Sequence, residues 1–226
     1  MLSREFLVQR GYCCGHGCLM CPYIPKHIKG NELMHKDQIL IVCALEVETQ
    51  GQLEDWNVIY TGVGKVNATI GILERLTDYN YDKPKLVINY GTAGSRKIKK
   101  KTLVDCTKFI QRDMDVTGLG FMRGETPFEQ DPPFVIQPQN VEFNPIGRNA
   151  TCGTGDNFAE DKSQYYGEVV DMEAYSLAKV CYLHDVPFIS FKYITDGADE
   201  QAHEDWEKNL ADGIEVFKQK ILKEIK

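Results

Sequence analysis

The chain has 226 residues, 42% of them apolar, and a formal net charge of −7, enough for one sizeable core with a short appendage. The acidic balance argues against broad binding to nucleic acid or an anionic membrane, which need a basic surface, but leaves room for a small anion held by local donors. No apolar run reaches the roughly 20 residues that span a bilayer, and MLSREFLVQRGYCC lacks the long apolar core of a signal peptide, so a soluble cytoplasmic protein is expected.

Residues 1–35 form a distinct segment, rich in Cys, Gly, His and Lys and with little periodicity. Cys13, Cys14, Cys18 and Cys21 fall within nine residues, with His16 among them. Such a set offers a tetrahedral metal site, for zinc or an iron–sulfur cluster. A redox pair and a plain reduced loop stay open, because adjacent side chains diverge and the spacing is not the paired C-x₂-C of a zinc ribbon.

Residues 36–226 read as one α/β unit. Ile39 to Leu45 is a continuous apolar run, the mark of a strand covered on both faces. Val58 to Tyr60 is a short strand leading into TGVGK, after which Val66, Ile70, Leu73 and Leu76 recur at helical spacing. Leu86 to Tyr90 is a buried strand running into Gly91-Thr92-Ala93-Gly94, and Leu103 to Ile110 and Phe134 to Ile136 read as strands. Ala174, Leu177, Ala178 and Cys181 line one face of a helix. Val186 to Ile194 is a strand, with Pro187 near its start, where a missing donor is tolerated. Trp206, Leu210, Ile214, Phe217, Ile221 and Ile225 form the stripe of a long C-terminal helix, which Gly213 weakens by roughly 1 kcal/mol without ending it. Alternating strands and helices imply a mostly parallel sheet with helices on both faces and ligands at the strands' carboxyl ends. Cys43, Cys106, Cys152 and Cys181 are expected as buried reduced thiols.

Three acids lie near that edge. Glu173 opens a helix after a short apolar lead-in, Asp196 ends the apolar run from Val186, and Glu48 follows the first strand, with Glu46 as its nearest rival. An acid, an anionic sugar clamp and a base are the three carboxyl roles needed to cleave an N-glycosidic bond. Each residue also has a plainer reading: Glu48 as a helix start, Asp196 as a turn cap, Phe158 as core.

The stretch VVDMEAYSLAKVCYLHDVPF followed by ITDGAD resembles the bacterial 5′-methylthioadenosine/S-adenosylhomocysteine nucleosidases of the purine nucleoside phosphorylase superfamily. CALEVE, TGVGKVNA, NYGTAG, RDMDVTGLGF and GTGDNF follow that family's order, so the resemblance covers roughly residues 38 to 226. It implies a three-layer α/β fold with a mixed central β-sheet flanked by helices, and hydrolysis of an adenine nucleoside without a cofactor. By position, the water-activating glutamate falls on Glu48, the ribose-hydroxyl glutamate on Glu173 and the purine N7 acid on Asp196. Phe158 matches the base-stacking aromatic, Met172 the residue under the sugar, and Thr92 a small hydroxyl residue near sugar and water. Leu45 and Val63 join the substrate-binding set, as does Lys192, which stands where many members carry arginine. Leu119, Phe121 and Pro127 match a 5′-substituent pocket that the family builds partly from a neighbouring subunit, and the resemblance implies a homodimer.

The phosphorylase relatives hold phosphate with an arginine-bearing glycine loop after the first strand. CALEVETQG has a carboxylate and no arginine there, which suits water better than phosphate. Two other readings stay open. One is phosphorolysis or cleavage of a nucleotide, with the basic run Arg96, Lys97, Lys99, Lys100 and Lys101 holding phosphate. The other is a nucleoside-binding or storage protein without turnover. RGYCCGHGCLMCPY resembles a motif of short bacterial cysteine-rich proteins of unknown role.

Overall fold

The computed structural model describes residues 3–23, 26–131, 133–138 and 141–225. Its centre is dictated by apolar runs that water will not accommodate. Ile39–Cys43 (β1) is buried at every position. It pairs in parallel with Val58–Tyr60 (β2) on one side and Leu86–Gly94 (β3) on the other. Phe188–Asp196 (β7), buried throughout, lies parallel to β3. Leu103–Gln111 (β4) runs antiparallel to β7 and parallel to Ala150–Thr154 (β5). Val169–Asp171 (β6) joins β5 in parallel and meets β3 at Gly94. The seven strands therefore form one mixed sheet that folds back on itself, from β3 through β7, β4, β5 and β6 to β3 again.

Alternation along β1 divides the core in two. Leu40 and Val42 face Lys65–Thr77 (α2) and Ala174–Leu183 (α3), through Ala68, Ile72, Leu177 and Ala178. Ile39, Ile41 and Cys43 face Gly213–Lys220 (α5), through Ile214 and Phe217. Helices cover both sides of a mixed sheet, as the family resemblance implies. Cys43, Cys106, Cys152 and Cys181 are fully buried, unbridged thiols.

Three elements differ from expectation. The α2 face that packs inward carries Ala68 and Ile72, while Val66, Ile70 and Leu73 point outward and are 68%, 50% and 40% exposed. The small Ala68 lets the helix sit close to the sheet; of the predicted stripe, Leu76 packs against the core and the other three are left exposed. Phe134 to Ile136 is not a strand, because only Ile136 bridges, to Phe109. The long C-terminal helix is broken into Ala202–Asn209 (α4), a 3-10 turn at Leu210–Asp212, α5 and a last 3-10 turn at Leu222–Glu224.

Gly213 sits at that break because α5 presses on the sheet there. A Cβ at this position would lie 2.6 Å from the Tyr90 hydroxyl oxygen and 2.7 Å from the Tyr193 ring. Gly213→Ala is therefore expected to destabilise the protein by about 1–3 kcal/mol by overpacking, despite alanine's higher helix propensity. Chemical denaturation checks this, and a stabilised variant would refute it.

The N-terminal stretch forms a separate small cluster. Arg4–Gln9 (α1) is capped by Ser3, whose hydroxyl oxygen accepts from Phe6 N at 3.3 Å. Cys13, Cys21 and Tyr23 are buried, with Cys18 and Leu33 packed against them, and the Tyr23 hydroxyl donates to Leu7 O. An Arg4–Glu224 ion pair of 3.0 Å ties this stretch to the chain's other end. The expected metal site at Cys13, Cys14, Cys18 and Cys21 does not assemble. Among the described residues no group of three or more His, Cys, Asp or Glu is arranged to hold a metal ion. The thiols instead form two pairs, Cys13 with Cys21 and Cys14 with Cys18. The reason is local: Cys13 and Cys14 are adjacent, and their side chains diverge to different partners. Among the described residues no helix is long and apolar enough to cross a membrane.

Candidate active site

At Gly94 the strands β3, β6 and β7 converge, with an irregularity in register between Ala93 and Gly94. Such irregularities open a sheet edge and re-aim side chains. A Cβ on Gly94 would lie 2.4 Å from Asp196 Oδ1, so only glycine lets the carboxyl of the neighbouring strand cross here. Around this edge lies a cleft of about 860 Å³, its open mouth included.

Glu48, Glu173 and Asp196 all line the cleft, together with Phe158, Met172, Thr92, Leu45 and Val63. The choice between the two glutamates after β1 is decided by a 3-10 turn at Glu46–Glu48. It leaves Glu46 exposed and turns Glu48 inward, 4% exposed. Glu48 Oε1 accepts from Thr92 N at 2.8 Å and from Thr92 Oγ1 at 2.7 Å, and Oε2 accepts from Leu45 N at 3.3 Å. Trp206 Nε1 donates to Thr92 Oγ1 at 2.9 Å, which fixes the direction of the threonine proton toward Glu48.

Glu173 stands at the start of α3 and accepts from Gly64 N at 3.0 Å. Burial, and after it the nearby Asp171, pushes its carboxyl up to about 8, against the pull of Lys192 and the Gly64 N–H. The Asp196 carboxyl is raised as well, by burial first, although Ala198 N and Thr195 Oγ1 donate to its two oxygens at 2.9 and 2.8 Å. The contact with Ala198 is the turn cap of the plainer reading, and it coexists with exposure to the cleft. The site thus holds two carboxyls that burial shifts toward the protonated form and one that accepts three hydrogen bonds, the separation of roles that acid–base chemistry needs.

The raised Glu173 carboxyl has a cost in stability. In the unfolded chain a glutamate ionises near pH ~4.3. Between there and about 8 the folded state holds a proton that the unfolded state has released, so stability falls as pH rises through this window. Glu173→Gln removes that slope. Its melting temperature is expected to exceed that of the unaltered protein most near the upper end of the window and to converge with it at the lower end. A difference that does not vary with pH would refute the assignment.

Lys192, expected at the substrate, does not line the cleft. It is 1% exposed and pairs with Asp171 Oδ2 at 2.7 Å. Asp171 also accepts from Ala174 N at 2.9 Å and from Thr154 Oγ1 at 2.6 Å, so the pair anchors the start of the helix that presents Glu173. The reason for the difference is Asp171, a buried carboxylate in the cleft wall that captures the ammonium. Leu119, Phe121 and Pro127 also lie outside the cleft, and Leu119 is 74% exposed. They sit on the irregular segment after β4, where Thr117–Leu119 is a single 3-10 turn, and do not reach the cleft within one chain.

Trp206, His203, Arg112 and Asn157 are among the lining residues that were not anticipated. Trp206 was placed in the apolar stripe of a helix, and His203, one turn earlier, packs edge-on to Phe158 with ring centroids 6.4 Å apart. Arg112 and Asn157 hold the wall that carries Phe158. Arg112 Nη1 donates to Asn157 Oδ1 at 2.7 Å and to Gln164 O at 3.2 Å, and Nη2 donates to Asn157 O. The signal for Arg112 was its place in RDMD beside GTGDNF, but only pairing of β4 with β5 brings the two together.

Residues 48–225 match the phosphorylase superfamily. The chain belongs to this superfamily. A 5′-methylthioadenosine/S-adenosylhomocysteine nucleosidase of an Exiguobacterium species is 34% identical over 164 residues, 65% of this chain and 69% of the relative. Two Helicobacter pylori structures share the phosphorylase fold. A futalosine hydrolase mutant superposes with a TM-score of 0.70 at 21% identity, covering 82% of this chain and 96% of that one. A 5′-methylthioadenosine/S-adenosylhomocysteine nucleosidase, complexed with a pyrrolidine ligand that carries a 4-amino-pyrrolopyrimidine, gives 0.67 at 22%, with coverage of 78% and 92%.

Proposed function

We propose that this phosphorylase-superfamily chain is an N-glycosyl hydrolase that releases adenine from a 5′-substituted adenosine, 5′-methylthioadenosine, S-adenosylhomocysteine or 5′-deoxyadenosine. The observation that carries the reading is the convergence of Glu48, Glu173 and Asp196 on one cleft, each in a different electrostatic setting.

Asp196, its carboxyl raised, hands a proton to purine N7 as the C1′–N9 bond breaks and the base takes the bonding electrons. Phe158, backed by His203, stacks on the base. Positive charge gathers on the ribose ring. Glu173 receives the ribose hydroxyls as hydrogen-bond donors, with Met172 beneath the sugar. Water held between Thr92 and Glu48 loses its proton to Glu48 as it attacks C1′. The chemistry so written uses no cofactor.

What supports hydrolysis over phosphorolysis is that the cations at and near the cleft are bonded to groups of the protein. Lys192 is held by Asp171, and Arg112, which lines the cleft, has both terminal nitrogens on Asn157 and Nη1 also on Gln164, leaving only its buried Nε without a partner. Of the basic run, Lys100 pairs with Asp205 and Lys101 with Asp212 at 2.9 Å, while Lys97 donates to Gly167 O and Arg96 to Glu160 O. None of the run lines the cleft. A homodimer is the expected assembly. The outward apolar face of α2, with Val66, Ile70 and Leu73, is the kind of surface that a second subunit covers. Leu119, Phe121 and Pro127 are expected to complete a partner's 5′ pocket. The cytoplasm is the expected compartment, and residues 1–35 and 36–226 are read as two units.

The decisive assay follows adenine release by chromatography in phosphate-free buffer, with 5′-methylthioadenosine, S-adenosylhomocysteine, 5′-deoxyadenosine and AMP run in parallel. Adenine and a free sugar are expected from at least one of the first three. A requirement for phosphate, or a phosphorylated sugar product, would replace the hydrolase by a phosphorylase. Tight binding without turnover would replace it by a nucleoside-binding protein.

A further inference from the structure

The cysteine cluster of the N-terminal stretch shares no residue with the nucleoside cleft, and nothing in the chemistry above uses it. Its four thiols are of two kinds. Cys13 and Cys21 are buried, 2% and 8% exposed, with sulfurs 3.7 Å apart in an apolar cluster with Tyr23. Cys14 and Cys18 are only half-buried, with sulfurs 3.6 Å apart. Arg10, His16 and His27 join the cysteines around a small hollow. His27 Nε2 lies 3.0 Å from Cys18 O and steadies the loop that presents the outer pair.

We propose that Cys14 and Cys18 form a reversible dithiol–disulfide couple, in which Cys14 attacks a small-molecule disulfide and Cys18 resolves the mixed disulfide. The two sulfurs are already in contact, 3.6 Å apart on half-buried side chains, and a disulfide bond brings such a pair to ~2.0 Å. The surroundings divide the roles. Hydrogen bonds from His16, its backbone first and its side chain next, pull the Cys14 thiol down to about 6, and Arg10 adds a further donor. The Cys18 thiol is pushed up, chiefly by sharing a hydrogen bond with Cys14. Cys14 is therefore the nucleophilic thiolate at neutral pH, and Cys18 keeps the shared proton.

In the first step the Cys14 thiolate attacks one sulfur of the external disulfide. A Cys14–S–S–R bond forms, the external S–S bond breaks, and the departing thiolate carries off the electron pair. In the second step Cys18 loses its proton to solvent and attacks Cys14 Sγ. The Cys14–Cys18 bond forms and the second thiolate leaves. Two protein thiols are oxidised by two electrons in all, and one disulfide is reduced to two thiols.

The test uses the reduced full-length protein, freed of reductant and treated with hydroxyethyl disulfide at neutral pH. After acid quenching and alkylation, tandem mass spectrometry of the tryptic peptide spanning residues 11–26 locates the blocked thiols. A Cys14–Cys18 disulfide is expected, with Cys13 and Cys21 alkylated, reversed by dithiothreitol. Cys18→Ser is expected to stall as a mixed disulfide on Cys14. Cys14→Ser is expected to react about tenfold more slowly. Nucleosidase activity in both variants reports that the chain has folded. A Cys13–Cys21 disulfide instead, no mixed disulfide in folded Cys18→Ser, or a Cys14→Ser variant as reactive as the unaltered protein would each overturn the proposal.

Discussion

Asp196→Asn is expected to lower adenine release by about 10²–10⁴-fold while the fold survives. Asparagine has the shape of aspartic acid but no acidic proton to give to N7. Its amide oxygen can still accept from Ala198 N, and the Thr195 hydroxyl can turn to meet the amide, so the β7 end and the close passage of Gly94 are kept. Glu48→Gln is expected to cause a loss of the same order for the opposite reason. It leaves the leaving group protonated and takes away the base that draws a proton from water. The two variants are separable. A riboside with a nitrophenolate leaving group needs no proton on departure, so it should narrow the Asp196→Asn deficit and leave the Glu48→Gln deficit in place. Parallel deficits on both substrates, or full activity of Asp196→Asn, would remove the acid assignment. The pH profile follows from the same groups. Glu173 must ionise to clamp the sugar, so kcat/KM should rise toward about 8, and Glu173→Gln should lose that limb.

Lys192→Met is expected to cost about 3–5 kcal/mol of stability, because it leaves Asp171 buried without its counter-charge. For a domain of this size that is on the order of 10 °C in melting temperature. Methionine keeps the length of the stem and fills the space, so the cost reports the charge. Asp171 is deeply buried, and burial alone would raise its carboxyl. Lys192 reverses that and holds it below the ordinary range. A carboxylate lowered in the folded state contributes stability that is present above its unfolded value of ~3.9 and is lost as pH falls through the folded value. The unaltered protein should therefore lose this contribution only in acid, and Lys192→Met should lack it already at neutral pH. Lys192→Met combined with Asp171→Asn should recover part of the loss, since no lone charge remains. A double variant no more stable than Lys192→Met would show that the pair is not coupled. Activity should fall in Lys192→Met as well, since Asp171 anchors the helix start that presents Glu173.

Much of this was legible in the chain. Continuous apolar runs such as Ile39 to Leu45 had to be strands covered on both faces, because nothing else buries every side chain of an extended segment. Glu173 and Asp196 stood out because a carboxyl at the end of a buried element has no solvated face to occupy. What pairwise spacing could not carry was set by contacts distant in sequence. Glu46 and Glu48 are equivalent as letters, and only the turn after β1 exposes one and points the other at Thr92. Val66, Ile70 and Leu73 have helical period but no marker of which surface they meet, so the helix packs by Ala68 and Ile72. Lys192 could face a substrate or a buried acid, and the pairing of β5 with β6 placed Asp171 within its reach. Trp206 reads as one more apolar residue until α4 folds its indole N–H against Thr92. The sequence by itself determined strands β1 to β4 and β7, the core-facing helix α3 and two of the three acids, because local pattern and burial decide those. The tertiary structure alone turned Glu48 rather than Glu46 into the cleft, formed the Lys192–Asp171 ion pair and divided the cysteines into pairs, because each depends on which distant group fills the space opposite.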